Sequence, residues 1–182
     1  MVRNQSGWVW RAVLSSSMVA LALFSAAQEA QGAASAQRAP APRSAPNFVL
    51  PAATGGTVSL EAFRGRPVLV NFWASWCPGC RAEMPGLEAL SRDRPRCLAV
   101  IGIAEDSGGP REILAFARAH GITYPLLLDD GGAAIEYGVV GIPYSVLIDA
   151  HGRVVRLFTG QITREVVSGA VEKLDTAPRC QV

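Results

Sequence analysis

The chain has little of what metal and nucleic-acid sites are made from. Its 182 residues include two histidines and four cysteines, and its formal net charge is only +2. So small a charge leaves no electrostatic footprint for nucleic acid or an anionic membrane surface. There is no second Cys-x-x-Cys and no histidine pair near the cysteines, so a structural zinc site lacks ligands. No internal repeat is visible. No acid precedes Glu29. The longest apolar stretch, Ala12 to Ala27, is short for a membrane span and is diluted by Ser15, Ser16 and Ser17. No cysteine follows it at once, which argues against a lipid-modified N-terminus.

Residues 1–27 have the form of a secretory signal. Arg3 and Arg11 make a positive start, an apolar run follows, and small-residue cleavage patterns stand at Ser25-Ala26-Ala27 and Ala34-Ser35-Ala36. An uncleaved anchor is the alternative, and it too would put the rest of the chain outside, in the periplasm or on the outer face of the membrane. Residues 28–46, rich in Ala, Gln, Pro and Ser, read as a disordered leader. Residues 47–176 fit one domain, and 177–182 form a tail.

Within that domain stands Trp76-Cys77-Pro78-Gly79-Cys80, after the apolar run Pro67 to Trp73 and ahead of a helix-like stretch. A helix start offers unpaired N–H groups and a positive dipole end, and both favour a thiolate at Cys77. Cys80 is close enough to close a disulfide and release whatever Cys77 captures. As a structural staple, so short a loop would remove little chain entropy.

Element order predicts an α/β fold. Asn47–Leu50 and Thr57–Leu60 flank Thr54-Gly55-Gly56 as a hairpin, and Glu61–Arg64 is a helical turn. Val68–Trp73 and Cys97–Ala104 are continuous apolar strands, the pattern of a sheet covered on both faces. Helices are expected over 78–92, with Pro85 as a kink, and over 110–120, between Pro110 and Gly121. A short strand at 126–128, a helical turn at 133–137, a strand pair at 144–149 and 153–158, and a helix from Thr163 to about Leu174 complete the chain. The sheet is therefore mixed, with helices on both faces.

The strand, the Trp-Cys-x-x-Cys, the proline five residues on, and Gly141-Ile142-Pro143 ahead of a strand pair together resemble the thioredoxin fold over roughly residues 46–175. The N-terminal hairpin, Asn71-Phe72-Trp73-Ala74-Ser75-Trp76-Cys77, Glu105 and Tyr144–Asp149 are similar to the TlpA/ResA/DsbE group of exported thiol–disulfide oxidoreductases. The resemblance implies a cis peptide before Pro143 and a loop that faces the cysteines. It also implies protein disulfides as substrates, reduction as the direction, cytochrome c maturation as one setting, and a membrane thiol carrier as electron donor. It calls for no cofactor. Trp76, Pro78, Gly79, Ile142 and Tyr144 would line the docking surface, while Trp73 fits plain core. Cytosolic thioredoxin has a buried Asp where this chain has Asn71, which exchanges no protons near neutral pH. Glu105 is the expected substitute as proton acceptor for Cys80, against the reading of an ordinary solvated acid.

Three alternatives stay open. One is a dithiol oxidant that forms disulfides. Another is a Cu(I) metallochaperone using Cys77 and Cys80, although His120 and His151 are poorly placed to help. The third concerns Cys97 and Cys180. They either form a second bridge, closing a roughly 84-residue loop worth about 4 kcal/mol, or are a buried thiol and a frayed tail.

Overall fold

The computed structural model describes residues 43–106 and 108–174. The expected signal, the leader up to residue 42, the tail and Cys180 lie outside the described residues.

A five-stranded sheet carries the domain. Its members are β3 (Val68–Trp73), β4 (Ala99–Ala104), β5 (Leu126–Leu128), β6 (Tyr144–Ile148) and β7 (Val154–Thr159). They follow two short N-terminal strands, β1 (Val49–Pro51) and β2 (Thr57–Ser59). The spatial order is β5-β4-β3-β6-β7. β3 pairs in parallel with β4 and antiparallel with β6. The helices are α1 (Pro78–Asp93), α2 (Pro110–His120), α3 (Gly132–Tyr137) and α4 (Arg164–Val171). The mixed sheet, its helices and the antiparallel β1–β2 pair are the architecture expected from the sequence.

Alternation along β3 sorts its side chains. Leu69 and Trp73 face the core shared with α1, α2 and α4, while Val68, Val70 and Phe72 face the core under the hairpin and α3. All six residues are buried, as a strand covered on both faces requires. On the second face Tyr137 packs its ring 5.5 Å from Phe72 and 6.5 Å from Phe48. Its hydroxyl donates to the Pro46 carbonyl at 2.7 Å.

That contact corrects one boundary. The leader was expected to run to residue 46, yet the domain already includes Arg43 to Pro46. Val154 N donates to Arg43 O, Ala45 N donates to Gly152 O, and Ala45 is buried in the core. Other edges moved because turns claim the backbone first. Ser59 Oγ accepts from Glu61 N and starts the helical turn Leu60–Phe63, so β2 ends at Ser59. Cys97 N and Leu98 N both donate to Arg94 O, which delays β4 to Ala99. Asp149 Oδ1 takes the N–H groups of His151 and Arg153, which ends β6 at Ile148 and starts β7 at Val154. The last helix stops at Val171 rather than near Leu174. α1 continues as one element through Pro85.

Gly102 on β4 answers a packing need. A Cβ there would lie 2.6 Å from Leu126 Cδ2 and 2.9 Å from Trp73 Nε1. The Trp73 indole occupies the room that the glycine leaves. Gly102→Ala is expected to destabilise the domain by about 1–3 kcal/mol through overpacking. A urea midpoint unchanged from the parent would show that the indole yields without cost.

Candidate active site

Cys77 and Cys80 are joined as a disulfide with Cα atoms 5.3 Å apart, at the end of the sheet where β3 stops. The local sequence explains the placement. Cys77 is the N-cap of α1, with extended backbone, and Pro78 takes the first helical position, where no N–H is needed. Cys80 N donates to Cys77 Sγ at 3.2 Å, so the sulfur caps the helix as a Ser or Asp oxygen would. The helix end is thus aimed at the atom that would carry the negative charge. Cys77 keeps 5% exposure and Cys80 none. Only the first sulfur is within a partner's reach.

The Ile142–Pro143 peptide is cis. The Pro143 ring faces the start of α1: a Cβ on Gly79 would sit 3.5 Å from Pro143 Cδ and 3.7 Å from Cγ. Trp76, at 67% exposure, stands beside the disulfide, and Ile142 is half-buried. Pro78 is exposed and Gly79 half-buried. Val140, at 94% exposure, extends the apolar surface ahead of the proline loop. Tyr144 departs from its expected place. It is 5% exposed and packs edge-on against Phe72, because its position on β6 points to the hairpin-side core. It supports the site from below and does not line a docking surface. Trp73 is fully buried, with its ring 4.9 Å from Phe116.

Two carboxyls lie near the cysteines. Glu105 N donates to Trp73 O at 2.8 Å, which puts Glu105 at the disulfide end of the sheet, where the sequence placed it. Its side chain is half-buried, and Oε1 is buried with no hydrogen-bond partner. Burial, followed by the charge of Asp129, pushes its carboxyl up to about 7. The second carboxyl, Glu83, escaped sequence reasoning. It sits one turn after Cys80 on the buried face of α1 and is 3% exposed. Asn71 Nδ2 donates to Glu83 Oε1 at 2.7 Å, and Ile162 N donates to Oε2 at 2.8 Å. Burial pushes this carboxyl up to about 7 against the lowering effect of those two bonds. Asn71 also donates to Ser145 Oγ at 2.9 Å. Asn71 therefore carries no proton itself but holds a group that can. The signal was available: an acid three residues after Cys80, in line with the apolar positions Met84 and Leu87.

Asp106 was also missed. It accepts from Ser75 N and Ser75 Oγ, both at 2.8 Å. This two-point latch joins the loop after β4 to the residue two places before Cys77. Cys97 lies half-buried just ahead of β4, at the opposite end of the sheet from Cys77. Among the described residues no group of His, Cys, Asp and Glu could hold a metal ion.

A family model described as the AhpC/TSA family matches residues 42–157. This chain belongs to the AhpC/TSA family. Within it, the chain is 34% identical over 133 residues to the thioredoxin-like protein YneN of Bacillus subtilis, covering 72% of this chain and 76% of the relative. It is 31% identical over 134 residues to the thiol–disulfide oxidoreductase ResA of Bacillus thuringiensis, covering 72% and 77%. Among solved structures, a DsbE-type thiol:disulfide interchange protein from Chlorobium tepidum superposes with a TM-score of 0.67 at 28% identity, covering 72% of this chain and 94% of that one. The AhpC/TSA chain described above is therefore a thiol–disulfide oxidoreductase of the ResA/DsbE type with a thioredoxin-like fold.

Glu83 carries a pH signature. Its folded value, about 7, lies above the ordinary 4.5, so between the two the native state holds more protons than the unfolded chain. Its contribution is therefore most favourable below about 4.5 and is lost as pH rises through about 7. Glu83→Gln is expected to flatten the fall in stability of the oxidised protein across that window. An unaltered slope in denaturation series at several pH values would assign the effect to Glu105 alone. For the latch, Asp106→Ala is expected to cost about 1–3 kcal/mol and to change the Cys77–Cys80 reduction potential. An unmoved potential would limit Asp106 to holding the fold.

Proposed function

We propose that this protein reduces disulfides of exported proteins through the Cys77–Cys80 dithiol, with apocytochrome c as one substrate class. The observation that carries the reading is the combination at the start of α1: a capped, barely exposed Cys77, a fully buried Cys80, and the buried Glu83 carboxyl one turn away.

In the reductive turn the Cys77 thiolate attacks one sulfur of the substrate disulfide. A Cys77–substrate disulfide forms, and the other substrate sulfur leaves as a thiolate. Cys80, its proton passed to Glu83 or Glu105, then attacks Cys77 Sγ. The Cys77–Cys80 disulfide forms, the first substrate sulfur leaves, and two electrons have moved to the substrate. A carboxyl near 7 is matched to a proton exchanged at neutral pH. Ile142, ahead of cis-Pro143, offers its backbone to an extended substrate segment, and Trp76 and Val140 give that segment apolar contact. A membrane thiol carrier would recharge the dithiol. Residues 1–27 would export the chain, by cleavage or as an anchor, and Cys97 with Cys180 would form a second bridge. A dithiol oxidant is the alternative direction on the same residues.

The reduction potential tests the direction. Equilibration of the protein in a defined thiol buffer, followed by Trp fluorescence, is expected to give about −250 mV or lower, on the thioredoxin side of the scale. A value near about −120 mV would make the protein an oxidant. In parallel, the reduced protein is expected to reduce an oxidised Cys-x-x-Cys-His peptide, and Cys80→Ser to stop at the mixed disulfide on Cys77.

A further inference from the structure

The domain's charges nearly cancel in sum but not in space. At the disulfide end of the sheet stand Glu105, Asp106, Asp129 and Asp130, just past the ends of β4 and β5. At the opposite end stand arginines: Arg64 and Arg66 before β3, Arg92 in the last turn of α1, Arg94 and Arg96 between α1 and β4, and Arg153 before β7.

These turns are tied into one surface. Arg66 Nη1 donates to the Pro95 carbonyl at 2.6 Å. Arg64 Nη1 donates to the His151 carbonyl, and Gly152, at φ 78°, leaves open the space its guanidinium fills. Both guanidiniums reach neutral carbonyls, so their charge stays uncompensated. Arg94 pairs with Glu172 at 3.3 Å and Arg153 with Asp149 at 2.7 Å, whereas Arg64, Arg66 and Arg96 have no ion pair among the described residues. Asp149, which lines a shallow pocket with Arg64 and Arg66, is engaged by Arg153 and the amides of its own turn. Glu61, on the turn before Arg64, makes no ion pair among the described residues.

The chain also joins the domain here. Ser44 bridges to Arg153, and Ala45 N donates to Gly152 O at 2.9 Å. The chain leading into the domain therefore enters at the arginine end.

We propose that this arginine end rests on an anionic phospholipid surface and leaves the disulfide end facing away from it. Guanidinium forks match phosphate oxygens. Anionic headgroups attract such cations within about a Debye length, ~8–10 Å. A protein partner would be expected to find an apolar anchor at the centre of its interface. The turns at 64–66, 95–96 and 150–153 present none of the exposed large apolar side chains. Net charge concealed this surface because Glu105, Asp106, Asp129 and Asp130 at the other end offset part of it in the sum.

The test uses the full chain with phosphatidylcholine vesicles, with and without admixed phosphatidylglycerol. Phosphatidylglycerol is expected to tighten binding in a salt-sensitive way. The triple variant R64Q/R66Q/R96Q is expected to lose about a hundredfold of that gain, at about 1 kcal/mol for each arginine, while binding to pure phosphatidylcholine stays unchanged. Because Arg64 and Arg66 also brace turns, amide exchange of the unsubstituted protein gives a second reading. Residues 64–66, 94–97 and 150–153 should slow on the anionic vesicles and not on the neutral ones. A triple variant that keeps the full gain would assign it to Arg3, Arg11 and Arg38 and overturn the proposal. So would slowing at 76–80 instead, or binding to soluble polyglutamate with no gain from phosphatidylglycerol.

Discussion

The Glu83 carboxylate binds three parts of the domain together. It takes one hydrogen bond from Asn71 on the central strand and one from the backbone of Ile162, ahead of α4, and it is itself carried by α1. A carboxyl with 3% exposure is stable only if such bonds replace its lost water, so the three elements must meet with little freedom. Ser145 extends the network to β6 through Asn71. The position of α1, and with it the sulfur of Cys77 at the helix start, follows from this tie. The carboxyl that orients the helix is also the one whose proton affinity the burial raises.

The site is built at the boundary between rigid and exposed structure. Below it lie Trp73, Phe72 and Tyr144, all buried on one face or the other of the sheet. Above it Trp76 and Val140 are open to solvent. Pro143 stands across from Gly79, and Asp106 holds Ser75 from the loop after β4. The Cys77 sulfur therefore sits at a helix start whose approaches come from separate loops, on a scaffold of fixed geometry. Among the described residues no helix is long and apolar enough to cross a membrane.

Much of the fold was legible along the chain. The six-residue apolar runs of β3 and β4, and a helix that opens on Pro110 and closes on Gly121, left little choice of element type. Their edges were less legible, because the side chains of Ser59 and Asp149 and the carbonyl of Arg94 divert backbone N–H groups into turns, and such bonds compete with strand pairing without altering apolar periodicity. Tyr144 shows the same limit for a side chain. The family resemblance placed it on the docking surface, while the alternation of β6 sends it to the opposite core.

Local pattern determined the disulfide pair and the helix that follows it, since spacing and residue type are local properties, while the proline loop was expected from resemblance to the thioredoxin fold. Folding alone decided that the Glu83 carboxyl is hydrogen-bonded and raised in proton affinity, because it becomes unusual only when Asn71 and Ile162, 12 and 79 residues away, close around it. Folding also sorted the charges. A sum over the chain is indifferent to position, whereas a parallel crossover brings the starts of β3 and β4 to one end and their finishes to the other. Arg64, Arg66 and Arg96 are thereby drawn to one end of the sheet, and Glu105 and Asp106 to the other.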